Sequence, residues 1–240
     1  VAGSSAVGTV DALGTVTATA TGLAAGSKWY FRFVATNDRG ATGSSAASEY
    51  EVSEGLWRPQ ATNATWADAA WLKNGAGSPT TFNPAWAARF DGQEPTKVAA
   101  VAIPSAVTAK NVFVAADANY TFNGAGSITS QKLIKDGTGT LTLDAAVLAG
   151  TPDIEIRKGV VKLGAGATTG AAGKDGGTIT VKNGAQFDFY HNDTASGANR
   201  ARALVTSAKK FVIEGAGPDG SGALTSSYKN DIWGSPINEI

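Results

Sequence analysis

From Val98 onward the chain alternates apolar and polar residues in short bursts, each stopped by glycine or a small polar cluster. "NVFVA", "NYTF", "TLTL", "DIEI", "VVKL", "TITV", "AQFDF" and "KKFVI" follow one another. Alternation with period two sends successive side chains to opposite faces and predicts half-buried β-strands; no stretch sustains a helical period. Glycines recur at Gly137, Gly159 and Gly184, spaced 22 and 25 residues apart, each after a strand, a Lys or Arg and one polar residue. A period of twenty-odd residues with two or three strands in each is the mark of stacked repeats. Leu141 and Leu143, Val161 and Leu163, Ile179 and Val181, and Phe187 and Phe189 are expected to point inward and stack on counterparts in the next repeat. Glycine at the corner would take the positive φ that a sharp turn demands. The pattern predicts an all-β chain whose main part, residues 98–240, is a right-handed parallel β-helix continuing beyond residue 240.

Residues 1–55 read differently. "TVTATATGL" alternates, and "WYFRFVA" follows between two turns. Trp29, Phe31, Phe33 and Ala35 would face one way and Tyr30, Arg32 and Val34 the other, as in an antiparallel strand with one face on a core. Leu23, Gly26, Ser27, Trp29, Arg32, Ala35, Asn37 and Gly40 resemble the late strands of a fibronectin type III domain, with Trp29 where that family has its corner tyrosine. The resemblance covers two or three strands and implies a partial β-sandwich acting as a spacer.

Between these parts, residues 56–97 carry four of the six tryptophans, Trp57, Trp66, Trp71 and Trp86, among Asn-Gly, Ser-Pro and Asn-Pro steps. Such punctuation fits an irregular segment better than a helix. Tryptophan at this density has two uses. It can cap the open end of a stacked core, which would otherwise expose a row of apolar groups, or offer stacking faces to sugar rings. The cap is the preferred reading, since buried aromatics are the commoner use.

Composition narrows the function. Twenty Lys and Arg balance 20 Asp and Glu, and only 17% of residues are charged, which argues against the basic footprint of a nucleic-acid binder. Without cysteine there are no disulfides, thiolate nucleophiles or zinc–thiolate sites. No apolar run approaches the ~20 residues of a spanning helix. With no methionine even at position one, the chain reads as a piece of something longer or a mature product.

"LIKDGTGTLTL" carries a second resemblance. Leu133, Lys135, Gly137, Gly139, Leu141 and Leu143 fill the Leu-x-Lys-x-Gly-x-Gly-x-Leu-x-Leu core of the autotransporter-associated β-strand repeat, echoed by "IEIRKGVVKLG". "NYTFNGAGSIT" and "FVIEGAGPDGSGAL" resemble segments that accompany such repeats. The resemblance spans roughly residues 65–224. It implies a secreted or outer-surface bacterial protein in which a β-helix serves as passenger or stalk.

Candidates for chemistry are few. The single histidine, His191, has no Ser or Cys arrangement pointing to it and reads as a surface residue. Asp153, Glu155 and Arg157 alternate along one strand and should share an outward face, as should Asp188 and Tyr190. A glycosidase needs two carboxyl groups at a set separation, and nothing in the sequence selects such a pair. "EGAGPDGSG" only partly matches a calcium-binding nonapeptide and occurs once, so it reads as a glycine-rich turn. Three sequons, at Asn63, Asn119 and Asn192, read as coincidental.

The expectation is therefore a non-enzymatic structural or adhesive segment with no cofactor and no metal. Its partners would be extracellular polysaccharide or neighbouring copies of itself. Trp66, Trp71, Trp86, Asp153, Glu155, Asp188 and Tyr190 are the candidate contact residues. A β-helix polysaccharide lyase or glycoside hydrolase is the first alternative, and a self-associating layer or fibre component the second.

Overall fold

The structure is a computed structural model that describes residues 28–45, 48–51, 54–144, 148–150, 152–164, 167, 170–173, 176–189 and 209–226. The chain divides into two compact units, residues 1–53 and 54–240. No helix occurs among the described residues.

The first unit holds β1 (Lys28–Phe31), β2 (Val34–Thr36), β3 (Thr42–Ser44) and β4 (Ser48–Glu51). β2 and β3 form a hairpin, and β1 pairs antiparallel with β4. The Asn37 side chain shapes the hairpin turn by accepting from the N–H groups of Arg39 and Ala41, while Gly40 adopts a φ of 78°. The single strand expected over "WYFRFVA" is broken after Phe31. Phe31 pairs with Ser48 in one sheet and Val34 with Ser44 in another, so Arg32 and Phe33 lie between two separate pairings. At the break the Ser45 hydroxyl accepts from the Phe33 N–H, and the Phe33 ring, expected on a core, is 64% exposed.

The second unit opens with β5 (Glu54–Trp57), β6 (Trp71–Lys73), β7 (Ala76–Thr80) and β8 (Ala87–Phe90). There follow β9 (Ala100–Ala102), β10 (Val107–Thr108), β11 (Val112–Ala115), β12 (Tyr120–Asn123), β13 (Ile128–Thr129), β14 (Lys132–Asp136), β15 (Thr140–Leu143) and β16 (Leu148–Ala149). The series ends with β17 (Asp153–Ile156), β18 (Gly159–Leu163), β19 (Thr178–Val181), β20 (Ala185–Asp188), β21 (Lys210–Ile213) and β22 (Leu224–Thr225).

These strands build three sheets. One has nine strands in the order β21-β19-β17-β14-β11-β8-β5-β6-β7, the second six in the order β22-β20-β18-β15-β12-β9, and the third three in the order β10-β13-β16. All pairings are parallel except β5 with β6 and β6 with β7, which are antiparallel. From β8 to β16 the chain visits the nine-, six- and three-stranded sheets in that order three times. Leu133 pairs with Val112 and Ile154 with Leu133, each 21 residues on; Ile179 follows Ile154 by 25 and Phe211 follows Ile179 by 32.

The alternation read from the sequence appears in the strands themselves. β12, β15, β18 and β19 each bury alternate residues. Leu141, Val161 and Phe187 stack in register, as do Leu143 and Leu163, whereas Ile179 and Val181 stack on Ile154 and Ile156 in the nine-stranded sheet. Fully burying each such side chain contributes roughly 1.5–3 kcal/mol.

Gly137, Gly159 and Gly184 all have positive φ, but they are not ladder counterparts. Lys135, Ile156 and Val181 share one row; Gly137 lies two residues past it, Gly159 and Gly184 three. The corners differ in length, with four residues between Lys135 and Thr140 but three between Ile156 and Val160. Both corners are tight: a Cβ on Gly159 would lie 2.5 Å from the carbonyl oxygens of both Gly137 and Gly139, and one on Gly137 would lie 2.5 Å from that of Ala116.

Candidate functional site

The tryptophans expected as contact residues are core. Trp66 and Trp71 are fully buried and Trp86 is 9% exposed, so none offers a free face to a sugar ring. Trp71 stands 5.0 Å from Trp57 and 4.9 Å from Trp66, ring centre to ring centre, with Phe82 at 4.6 Å and Phe90 at 5.5 Å. The Trp71 indole N–H donates to the Trp66 carbonyl at 3.0 Å. Trp66 also extends the six-stranded sheet, its N–H donating to the carbonyl of Ala102 beside a parallel bridge between Thr65 and Ala102.

The carboxylates lie on the outward side of their strands, each already bonded. Asp153 accepts the backbone N–H of Thr178 at 2.7 Å. Glu155 accepts from the Arg157 guanidinium at 2.8 Å and from the Lys132 ammonium at 2.9 Å. The Arg157 hydrogen bond, with Lys132 behind it, outweighs partial burial and holds the Glu155 carboxyl down at about 2. Asp188, expected on an outward and open face, is only 4% exposed, with the Lys162 ammonium 3.5 Å from its Oδ2. Tyr190, His191 and the sequon at Asn192 lie outside the described residues.

What the sequence reading passed over is the corner between the nine- and six-stranded sheets. Lys135 shares the inward row of Phe90, Val114, Ile156 and Val181 and is fully buried among them. Its ammonium folds back to donate to the carbonyls of Asp136 at 2.8 Å and Gly137 at 2.6 Å, with the Lys158 carbonyl at 3.5 Å. Burial pushes the amine down to about 8, against the pull of Asp136 and Asp117. Strand parity could have located it, since Lys135 is two residues from the core residue Leu133.

Outside this corner runs a groove of about 390 Å³ lined by Asp91, Gly92, Gln93, Ala116, Asp117 and Asp136, among others. Its first wall is fixed by Arg58, which grips both oxygens of Asp91 at 2.9 and 2.8 Å. Burial works against the Asp91 anion, but Arg58 and the Gln93 N–H together keep its carboxyl below the ordinary range. Asp117 accepts both the N–H and the hydroxyl of Thr138, each at 2.7 Å, and these bonds hold it low as well. Behind Gly92, the Tyr120 hydroxyl accepts from the Gly92 N–H and donates to the buried Glu94 carboxylate. The groove thus presents the Asp91 and Asp117 carboxylates, both fixed by hydrogen bonds and held low. Among the described residues no three His, Asp or Glu side chains are grouped to hold a metal ion.

The glycine-rich stretch after β21 is a folded turn, in which Asp219 accepts the Ser221 N–H and Gln186 donates to the Ser221 hydroxyl and the Gly222 carbonyl. Among the described residues no helix is long and apolar enough to cross a membrane. No family model, no curated protein and no solved structure matches the chain.

Proposed function

We propose that residues 54–226 wind as a right-handed parallel β-helix, started by the Trp-rich cap, and that it serves as a rigid, non-enzymatic stalk or passenger segment on a bacterial outer surface. The observation that carries this reading is where the polar side chains go. Asp117 bonds to Thr138, Asn119 to Thr140, Asp153 to Thr178, Lys132 to Glu155, Lys162 to Asp188 and Lys182 to Glu214. Each tie joins one passage of the chain to the next, 21 to 32 residues further on. Asp117 and Glu155, spent on such ties and held low, are poorly suited to the general-acid step of glycoside cleavage, which wants a raised pKa.

The resemblance to autotransporter-associated repeats supports the surface location, and the same residues, Leu133 to Leu143, supply the buried ladder. Weak contact with extracellular polysaccharide is assigned to the groove at Asp117 and Asp136, and lateral contact with neighbouring copies remains compatible with the stalk.

The test is to incubate the protein with soluble acidic and neutral polysaccharides and follow polymer size by chromatography. Unchanged size across the panel is expected. Shortened polymer, with the activity lost in Asp117→Asn or Asp136→Asn, would overturn the stalk in favour of an enzyme.

A further inference from the structure

The dipeptide Asn-Gly occurs three times, at Asn74–Gly75, Asn123–Gly124 and Asn183–Gly184, and the fold treats the three differently. An Asn followed by Gly is chemically unstable. The backbone nitrogen of the glycine can attack the Asn side-chain carbon, forming a C–N bond and expelling ammonia. Water then opens the resulting succinimide at either carbonyl, leaving aspartate or isoaspartate. The attack needs a side chain free to rotate and a following residue without a Cβ in the way.

Asn74 is not free. Its side-chain oxygen accepts the Glu54 N–H at 2.9 Å and its own N–H donates to the Glu54 carbonyl at 2.8 Å, in a turn where Asn74 and Gly75 have φ of 53° and 77°. Asn123 ends β12 with its carbonyl accepting the Ile103 N–H. The glycine after it lies against Ile103, so close that a Cβ there would sit 2.6 Å from the Ile103 carbonyl oxygen. Both places are held by the neighbouring strand.

Asn183 lies in the turn between β19 and β20 and is exposed. Among the described residues its amide makes no hydrogen bond; its oxygen lies 2.2 Å from where a Cβ on Gly215 would be, in space that only a glycine leaves open. Around Gly184 the space is open, with nothing within 4 Å of where a Cβ would be. We infer that Asn183–Gly184 is the site at which this protein deamidates in its folded state, while the other two Asn-Gly steps are shielded by the sheets. The product matters locally. Aspartate adds a negative charge beside the Lys182–Glu214 pair, whose nitrogen and oxygen are 2.6 Å apart, and isoaspartate lengthens the corner backbone between β19 and β20.

The folded chain should be aged in mildly alkaline buffer, sampled over time, and analysed by peptide mapping with mass detection and by enzymatic methylation of isoaspartate. A parallel sample is kept unfolded in urea. In the folded chain Asn183 is expected to convert about tenfold or more faster than Asn74 and Asn123, which must wait for local opening. In urea the three rates should converge, and Asn183→Gln should abolish most methylation of the folded chain. Equal rates in the folded state, faster loss of Asn74 or Asn123, or a rate order that survives unfolding would each overturn the inference.

Discussion

The ammonium of Lys135 lies 2.6 Å from the carbonyl oxygen of Gly137, at the end of a side chain that is otherwise surrounded by Val114 and Ile156 in its own row. A charge is thus buried in a ladder of apolar residues and answered by backbone carbonyls.

Lys135 makes stability depend on alkaline pH. Its amine is at about 8 in the folded chain and near ~10.4 when unfolded. Between those values the unfolded chain binds more protons, so stability rises with pH across the window and is level below it. At about 1.4 kcal/mol per unit the whole window would give about 3.4 kcal/mol, and solvent screening brings the expected rise to about 2–3 kcal/mol. Urea midpoints at neutral pH and at the top of the window should show it in the native protein and not in Lys135→Met.

Glu155 acts on the acid side, where stability again rises with pH. Its carboxyl is held at about 2 against ~4.3 when unfolded. The stability it contributes is present above the unfolded value and is lost as pH falls toward the folded one. Because the pair is partly solvated, Glu155→Gln should cost about 1 kcal/mol or less near neutrality. Thermal melts of variant and parent should converge near the acid end.

Gly159→Ala tests the tight corner. The residue has a φ of 71° and a Cβ would strike two carbonyl oxygens. Positive φ for a side chain with a Cβ, plus the displaced backbone, should cost about 2–4 kcal/mol. Gly184→Ala, with open space around it, should cost only the φ term of about 1 kcal/mol. Denaturant midpoints that rank the two equally would contradict the corner geometry.

Trp71→Ala should act on stability. Trp71 is fully buried between Trp57, Trp66 and Phe82, so truncation should cost about 3–5 kcal/mol. Calorimetry of the variant measures this, and a melting temperature like the parent's would mean that the aromatic cluster is not core.

β11, β12, β15, β17, β18 and β19 were legible because each has one wetter and one dry face, and a period of two survives any rearrangement of neighbours. Ladder register was not legible, since Gly137 and Gly159 look alike in sequence and the one-residue difference between their corners shows only in the pairing. Lys135 was hidden by its charge, which outweighed the parity it shares with Leu133. Asp188 has outward parity, but its cover comes from parts of the chain that parity says nothing about. The break in "WYFRFVA" shows only in the pairing, since Phe31 and Val34 pair with segments of two different sheets.

The ladder step has a kinetic meaning. From Val112 to Ile154 every strand of the nine-stranded sheet closes a loop of 21 residues onto the one before it, while Phe211 must close one of 32. Loop-closure entropy grows only as the logarithm of length, so the longer step costs about 0.4 kcal/mol more. Its strand β21 also buries little, with Val212 and Ile213 exposed. Folding can therefore propagate along the evenly spaced middle strands like a zipper, and thermal opening begins at β21, where the teeth are set wider and grip less.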